Sequence, residues 1–269
     1  TTRENVKRLS DLYREKKLSI RLYVMLGSSG ARSAEAFMDQ KPVIDAFDGR
    51  LTVRAIKLGI DGSLGAGGAA LLDDYADRPG YRGLLTMNPK DLEAAAGTAL
   101  ERGYQICVHA IGDRGNRLAL DAFAAAAKKY PALTTARFRI EHAQIVDRAD
   151  IPRFKSLGLI AAMQGIHCTS DMPMALTRLG PERVAEGGYA WRTFLDQGTV
   201  IANGTDCPIE RPGALASFFA SITRRRPGMK QEETWQPELR MTPIEALRSY
   251  TTGGAYASFT ENRRGTIAP

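Results

Sequence analysis

The chain has 269 residues, of which 43% are hydrophobic and 25% are charged, a composition typical of a globular protein rather than of a disordered or fibrous one. No apolar run approaches the roughly 18–20 residues needed to cross a bilayer, and the segment that begins at Thr1 is too polar for a signal peptide, so we expect a cytoplasmic protein. The net charge of +7 comes from 37 basic and 30 acidic residues that are mixed along the sequence, which argues against a nucleic-acid-binding face.

Basic residues are densest at 224–226, where three arginines are adjacent. Because cations are favoured at the carboxyl end of a helix, we interpret this run as a solvated helix terminus, with a phosphate-binding patch as the alternative. The three cysteines, Cys107, Cys168 and Cys207, are far apart and form no Cys-x-x-Cys pair. The sequence therefore predicts neither a disulfide framework nor a thiolate zinc site.

Apolar residues recur along the chain with two spacings, one typical of strands and one typical of helices. The first segment, 4–16, has the spacing of an amphipathic helix and leads into an apolar run at 18–26 that we predict to be a strand. Further strands are predicted at 51–58, 104–108, 136–140, 159–163 and 199–202. Further helices are predicted at 89–102, 114–129, 148–156, 189–197, 214–224 and 243–250.

Strands that alternate with helices predict a parallel α/β sheet, either open and doubly wound or closed as a (β/α)8 barrel. A doubly wound sheet usually carries a glycine-rich turn directly before a helix, whereas the glycine-dense segment 62–68 is followed by a long stretch without helical spacing. We therefore predict a TIM-type (β/α)8 barrel. Because six strands are predicted where a closed barrel has eight, we expect one incomplete barrel domain over residues 1–269, with about six β/α units and without the first strands.

Four polar residues stand at the ends of predicted strands, where a barrel enzyme places its chemistry. Lys57 ends an apolar strand, His109 and His142 follow two further strands, and Asp206 follows the last. Each residue alone has a structural explanation: a lysine that reaches solvent with its end group, histidines that cap loops, an aspartate in a turn. Taken together at one edge of a sheet, they are candidate ligands of one metal centre.

Four short blocks carry a resemblance to a known family: IKLGIDGSLG at 56–65, VHAIGDR at 108–114, IEHAQ at 140–144 and GTDCP at 204–208. Each block alone is a weak signal, but the four blocks in this order are specific. They resemble the metal-dependent amidohydrolase superfamily and, within it, the YtcJ-like branch, which includes N-substituted formamide deformylases. The resemblance extends from about residue 53 to residue 269.

The resemblance implies a role for each of the four residues. Lys57 would be the lysine that reacts with carbon dioxide to form a metal-bridging carbamate. His109 and His142 would be metal ligands, and Asp206 would be both a ligand and the carrier of a proton. The implied cofactor is a divalent metal, zinc by preference, with one or two ions in an intact site.

The resemblance also indicates how a substrate is held and changed. Segment 163–171 resembles a loop after the seventh barrel strand that reaches the substrate through Gln164, His167 and Asp171, although loop packing is an equal alternative for His167. The implied reaction is hydrolysis of the C–N bond of an amide or formamide by metal-activated water. The implied partner is a small-molecule amide, with no nucleic acid and no membrane, and assembly into a homo-oligomer is left open.

Two parts of the superfamily pattern are missing from the 269 residues. The sequence contains no His-x-His pair, which belongs to the first strand in the superfamily, and no flanking β-sandwich is predicted. We therefore expect a protein truncated at both ends that keeps part of its metal site. Two other functions stay open: a catalytically inactive or regulatory amidohydrolase-like protein, and a basic binding protein suggested by the charge of +7.

Overall fold

Six parallel strands form a curved sheet in the computed structural model, which describes residues 1–27 and 34–267. The spatial order of these strands, β1-β3-β4-β5-β6-β7, follows the order of the chain, and the short strand β2 pairs antiparallel with β3. The sheet matches the predicted incomplete TIM-type barrel. The strands are β1 Leu22–Leu26, β2 Val43–Asp45, β3 Leu51–Gly59, β4 Gln105–Ala110, β5 Arg139–His142, β6 Ile160–Met163 and β7 Val200–Asn203.

Helices separate most of the parallel strands along the chain, because a parallel partner can be reached only by a crossover connection. The helices are α1 Arg3–Arg14, α2 Ala46–Gly49, α3 Pro89–Arg102, α4 Asp113–Lys129, α5 Ile151–Ser156, α6 Gly165–Gly187, α7 Trp191–Asp196, α8 Ala214–Thr223, α9 Pro243–Tyr250 and α10 Thr252–Ala257. No helix in the described part of the chain has both the length and the apolar character needed to span a membrane.

Local sequence explains where the helices begin, end and pack. α3 begins after Asn88, whose side chain accepts a hydrogen bond from the backbone N–H of Lys90, and it ends at Gly103 with a φ of 78°. α4 buries one apolar stripe against the sheet, as its 3.6-residue spacing predicts. The stripe consists of Ala119, Ala122, Phe123 and Ala126.

The C-terminal segment covers the amino end of the sheet. Gln105, the first residue of β4, donates a hydrogen bond to the carbonyl oxygen of Ala257 at 3.1 Å. Arg137, just before β5, pairs with Glu261 at 2.6 Å. The predicted site residues lie at the other edge, where the parallel strands have their carboxyl ends.

The segment after β6 differs from the prediction. The sequence predicts a loop at 163–171, but α6 begins within it and continues for 23 residues. Pro173 lies inside α6, where its propensity opposes a helix, and α6 is kinked at Gly180 (φ 76°), directly before Pro181. Packing against α8 stabilises α6 nonetheless, and this contact requires Gly165, because a Cβ there would overlap the Ser221 hydroxyl.

The structure also corrects the prediction for the arginine run at 224–226. Arg224 is fully buried instead of solvated, and its guanidinium donates hydrogen bonds to the carbonyl oxygens of Trp235 and Tyr189, both at 2.8 Å. The guanidinium also lies 4.8 Å from the ring centroid of Trp191. Carbonyl dipoles and aromatic faces thus take the place of water around this cation, so Arg224 is not solvated, whereas Arg226 at the end of the run is exposed as predicted.

The other predicted elements are present with shifted ends. β1 begins at Leu22 instead of residue 18, and α5 begins at Ile151 instead of residue 148. The sequence did not predict α10 or β2. All three cysteines are free, in agreement with the prediction that they form no disulfide framework.

Candidate active site

The four residues predicted to form a metal centre all lie toward the carboxyl ends of the strands. Lys57 is two residues before the end of β3, His109 is in the last part of β4, and His142 is the last residue of β5. Asp206 lies in the loop that follows β7. Parallel pairing places these ends at one edge of the sheet, since Gly59 of β3 is in register with His109.

The backbone at the end of β5 explains the position of His142. Consecutive residues of a strand point to opposite faces, so a regular strand would send Glu141 and His142 to different sides of the sheet. His142 and Ala143 instead adopt positive φ values of 77° and 42°. This left-handed turn, which costs a non-glycine residue roughly 1–3 kcal/mol, accompanies the packing of the His142 ring edge-on against the ring of His109, with centroids 4.6 Å apart.

One group of side chains with metal-binding spacing is found in the described part of the chain. His142, His167 and Asp206 each offer an atom within 4.8 Å of the other two. His167 Nε2 lies 3.7 Å from Asp206 Oδ2, and the rings of His142 and His167 are stacked with centroids 5.8 Å apart. The group joins β5, the first turn of α6 and the loop after β7, three elements distant in sequence.

The histidines of this edge fit a divalent metal. Burial, together with the positive charge of Lys57, lowers the pKa of His109 to about 4. Burial also lowers the pKa of His142 well below its usual value. Both imidazoles are therefore neutral near pH 7, the form that binds metals. Nε2 of His109 and Nε2 of His167 are buried without a hydrogen-bond partner among the residues described, which is unusual for a buried polar atom and leaves both nitrogens available.

Asp61 is a site residue that sequence reasoning did not single out. Its carboxylate is fully buried and accepts hydrogen bonds from the backbone N–H groups of Ala70 (2.9 Å), Ile111 (3.0 Å) and Gly112 (2.8 Å). Burial raises the pKa of Asp61 to about 7, against the effect of these donors. Asp61 therefore holds the glycine-rich loop after β3 against the end of β4, where His109 Nε2 lies 3.5 Å from the carboxylate. The sequence feature that could have identified Asp61 is a carboxylate directly after an apolar strand.

Gln164 was predicted to contact substrate, and the structure places it on His142. The Oε1 atom of Gln164 lies 2.9 Å from His142 Nδ1, and its amide nitrogen donates a hydrogen bond to the carbonyl oxygen of Ala162 at 3.2 Å. The side chain is buried. It holds the His142 ring in one orientation.

Asp171, also predicted to contact substrate, is engaged within the protein. Its carboxylate accepts hydrogen bonds from the Gln144 amide at 2.7 Å and from the Tyr189 hydroxyl at 2.9 Å. Burial raises the pKa of Asp171. Of the three residues predicted in segment 163–171, His167 is the one that the structure brings to the metal-ligand group.

A buried ion pair lies beside the histidines and was not found from the sequence. Arg139 Nε is 2.9 Å from Glu141 Oε1, and each side chain is 11% exposed. Glu141 is in register with His109 on the neighbouring strand. The arginine compensates the charge of Glu141, so this carboxylate is less available to a cation than that of Asp206.

Comparison with known proteins identifies the family of the chain. A family model described as the amidohydrolase family matches residues 1–269. The chain is 32% identical to the Arabidopsis thaliana protein LONG AFTER FAR-RED 3 over 219 residues, which are 81% of this chain and 37% of that protein. It is 30% identical to the putative amidohydrolase YtcJ of Bacillus subtilis over 214 residues, which are 80% of this chain and 40% of that protein.

A solved structure is similar over nearly the whole chain. The uncharacterized metal-dependent hydrolase from Pyrococcus horikoshii matches with a TM-score of 0.83 and 30% identity, over 98% of this chain and 51% of that one. The chain thus spans about two fifths of the curated relatives and half of the solved structure. The resemblance carried by the four sequence blocks is confirmed: the chain belongs to the amidohydrolase family.

Proposed function

We propose that this chain carries the metal-binding and proton-transfer residues of a hydrolase that cleaves the C–N bond of amides or formamides. The observation that supports it best is the meeting of His142, His167 and Asp206 at the carboxyl edge of the sheet, in a chain of the amidohydrolase family. A small-molecule amide as substrate and the cytoplasm as location belong to the same proposal.

The proposed metal ligands are Lys57, His109, His142 and Asp206, with zinc as the cation. Lys57 would ligate as the carbamate formed with carbon dioxide, because an ammonium group has no lone pair to offer. The position of Lys57 supports this role, because its positive charge is close enough to lower the pKa values of His109, His142 and Asp206. When bound, a divalent metal supplies Lewis acidity to this edge of the sheet.

Asp206 is the proposed proton carrier. Its carboxylate accepts no hydrogen bond from the residues that the structure describes, and its side chain is 34% exposed, so water can reach it. Burial raises the pKa of Asp206, while His167 and Lys57 lower it. As the water oxygen bonds to the substrate carbonyl carbon, Asp206 takes a proton from that water and then delivers it to the leaving nitrogen as the C–N bond breaks.

The test is hydrolysis of a simple N-substituted formamide by the 269-residue chain with zinc in excess, measured as release of the amine. We expect Asp206→Asn to lower kcat by at least about 100-fold, the usual effect of losing a general acid or base. Asp91→Asn, on the exposed first turn of α3, is the matched control and should keep full turnover. Near-normal turnover by Asp206→Asn would contradict the mechanism.

A second candidate is a metal-binding regulatory protein without turnover. The His142, His167 and Asp206 group supports this candidate as well, because holding a cation does not by itself require turnover. This candidate predicts that the chain binds zinc but releases no amine from any formamide. The same assay, run beside a measurement of metal content, separates the two functions.

A further inference from the structure

We propose that Arg226 is a positioning residue for the candidate active site. It donates hydrogen bonds to two backbone carbonyl oxygens of α6 and so fixes the first two turns of this helix, which carry His167. The inference deepens the proposed function, on which it rests for the reaction, by adding a residue that acts on the site through α6.

A proline in α6 creates the acceptor for Arg226. In an α-helix each carbonyl oxygen accepts a hydrogen bond from the N–H group four residues later, so the partner of the Thr169 oxygen would be residue 173. That residue is Pro173, which has no N–H group and whose ring pushes against the carbonyl four residues before it. The Thr169 oxygen therefore lacks its helical hydrogen bond. Thr169 is buried, where an unpaired backbone acceptor is unfavourable.

Arg226 supplies the missing donor. Its Nε atom donates to the carbonyl oxygen of Thr169 at 2.7 Å, and its Nη2 atom donates to the carbonyl oxygen of Ser170 at 3.1 Å. The planar guanidinium thus bridges two successive carbonyls, a geometry that the compact ammonium of a lysine does not match. Hydrogen bonds from charged donors are also stronger than those between neutral groups. Pro173 and Arg226 together therefore join α6 to a segment 57 residues away from Thr169 in the chain.

Loop 225–234, which carries Arg226, is closed at its base by Arg224 and Trp235. Nε of Arg224 donates to the carbonyl oxygen of Trp235 at 2.8 Å, and the N–H group of Trp235 donates to the carbonyl oxygen of Arg224 at 3.3 Å. Because Arg224 is fully buried, this closure belongs to the core. Loops of this length whose ends meet are compact, and this one starts from a fixed base.

A β-turn within the loop presents the Arg226 side chain. The N–H group of Met229 donates to the carbonyl oxygen of Arg226 at 3.1 Å. Pro227 and Gly228 lie between them, and the φ of Gly228 is 89°, which are the residues and the torsion that a type II turn favours at these positions. The backbone on both sides of Arg226 is thus held by other contacts. Arg226 therefore holds α6 in place, rather than being held by it.

The first two turns of α6 lie beside the candidate active site. His167 precedes Thr169 by two residues, and its Nε2 atom lies 3.7 Å from Asp206 Oδ2. In the same helix the Ser170 hydroxyl donates a hydrogen bond of 2.6 Å to Glu210, in the loop that carries Asp206. A movement of the helix at Thr169 therefore moves His167 relative to the loop after β7.

His167 is also the residue of segment 163–171 that is free to contact a substrate. The side chains of Gln164 and Asp171 are hydrogen-bonded to other side chains, whereas Nε2 of His167 has no hydrogen-bond partner among the residues described. Arg226 therefore acts on substrate binding through the position of His167.

The first test is a double-mutant cycle on the metal-free 269-residue chain, read by amide hydrogen exchange at 167–172. Arg226→Met removes the donor and keeps an apolar stem. We expect it to speed exchange there at least about 10-fold, the effect of losing a hydrogen bond to a charged group. Pro173→Ala restores the N–H group that bonds to the Thr169 oxygen, so in that background Arg226→Met should change exchange less than about 3-fold.

Two matched variants control this cycle. Arg148→Met, at an exposed arginine in the turn before α5, should leave exchange at 167–172 unchanged. Pro181→Ala, at the other proline of α6, should leave the effect of Arg226→Met at full size. Equal acceleration by Arg226→Met with Pro173 and with alanine at that position would overturn the pairing of the two residues.

The second test is the KM of the same N-substituted formamide with zinc in excess. We expect Arg226→Met to raise KM about 10-fold, the effect of losing one hydrogen bond to the substrate, while kcat changes less than about 3-fold. A variant that only loses folded protein lowers kcat and leaves KM unchanged. An unchanged KM beside faster exchange would therefore make Arg226 a structural residue and overturn the proposal.

The ring resonances of His167 give a readout that needs no turnover. The chain has three histidines, so these signals can be assigned in the metal-free protein. Arg226→Met should shift the resonances of His167 and leave those of His109 in place, and an unshifted His167 would overturn the positioning role. A wild-type chain that cleaves no formamide refutes the proposed hydrolase only, because exchange and the His167 signals report on Arg226 independently.

Discussion

Two aspartate–histidine pairs at the carboxyl edge of the sheet invite comparison. Asp61 lies 3.5 Å from His109 on the side of β3 and β4, and Asp206 lies 3.7 Å from His167 on the side of β6 and β7. The distances are similar, but the carboxylates differ. Asp61 is fully buried and accepts three backbone hydrogen bonds, whereas Asp206 is 34% exposed and accepts none from the described residues.

The difference shows how the same residue types can serve structure in one place and chemistry in another. A carboxylate whose lone pairs accept hydrogen bonds from backbone N–H groups stabilises a loop. Few of its lone pairs are then free to bind a ligand. A carboxylate without donors has no such structural duty, and taking up a cation or a proton is favourable for it. Four experiments test this contrast.

The largest expected difference between Asp61 and Asp206 is in how much each contributes to the free energy of unfolding. Asp61→Ala leaves three backbone N–H groups without their acceptor, and at roughly 1–3 kcal/mol for each buried group we expect the free energy of unfolding to fall by more than about 3 kcal/mol. Asp206→Asn, which keeps a residue that tolerates the left-handed backbone at this position (φ 58°), should change it by less than about 0.5 kcal/mol. Denaturant unfolding of both variants with a chelator present measures the difference, and equal losses would refute the contrast.

The pH dependence of stability should reveal the buried state of His109. Burial lowers the pKa of His109 to about 4 in the folded protein, from an ordinary value of 6.5. The unfolded chain therefore binds the proton at His109 first, and this residue should lower the free energy of unfolding by about 3 kcal/mol as the pH is lowered from 6.5 to 4. Asp61, whose pKa burial raises to about 7, acts in the opposite direction over the same range, so the contribution of His109 is the difference between the wild type and His109→Gln. The His109→Gln variant lacks this pH-dependent contribution to the free energy of unfolding. Parallel stability curves for the variant and the wild type over this range would contradict the expectation.

Metal affinity should depend on the amide that orients His142. Gln164→Met removes the acceptor for His142 Nδ1, and we expect zinc affinity to fall about 10–100-fold, the usual effect of losing a partner that orients a ligand. Gln164→Glu keeps an acceptor at the same place and should retain the affinity of the wild type. A loss of equal size in both variants would mean that Gln164 acts through packing instead of orientation.

The smallest effect concerns the loop that carries Asp206. The Ser170 hydroxyl of α6 donates a hydrogen bond of 2.6 Å to Glu210 in this loop, in an exposed position. Ser170→Ala should lower the free energy of unfolding by about 0.5–1.5 kcal/mol at most and should speed amide exchange at 207–213. Unchanged exchange there, or a large loss of stability, would show that the loop is held in another way.

Much of the fold could be predicted from the sequence. The period-two and 3.6-residue patterns placed all six parallel strands and most helices, because each pattern reflects which face of a local element is buried. The carboxyl-edge positions of Lys57, His109, His142 and Asp206 followed from strand ends alone. Parallel pairing brings such ends together whatever the details of packing.

Tertiary contacts decided what the local pattern could not. Whether Asp61 is a turn residue or the acceptor of three backbone N–H groups depends on the approach of residues 70, 111 and 112, which are distant in sequence. Whether segment 163–171 is a loop or a helix depends on packing against α8. The burial of Arg224 depends likewise on Trp191 and Trp235.

The ligand group itself shows this division most clearly. The sequence by itself determined that the chain holds three histidines and that two of them follow strands of a parallel sheet. Only the tertiary structure, through the left-handed backbone at His142 and the first turn of α6, brought His167 to Asp206 and turned His142 toward both. Side-chain contacts of this kind depend on backbone torsions and on packing between elements that are distant in sequence. Hydrophobic periodicity reports neither of them.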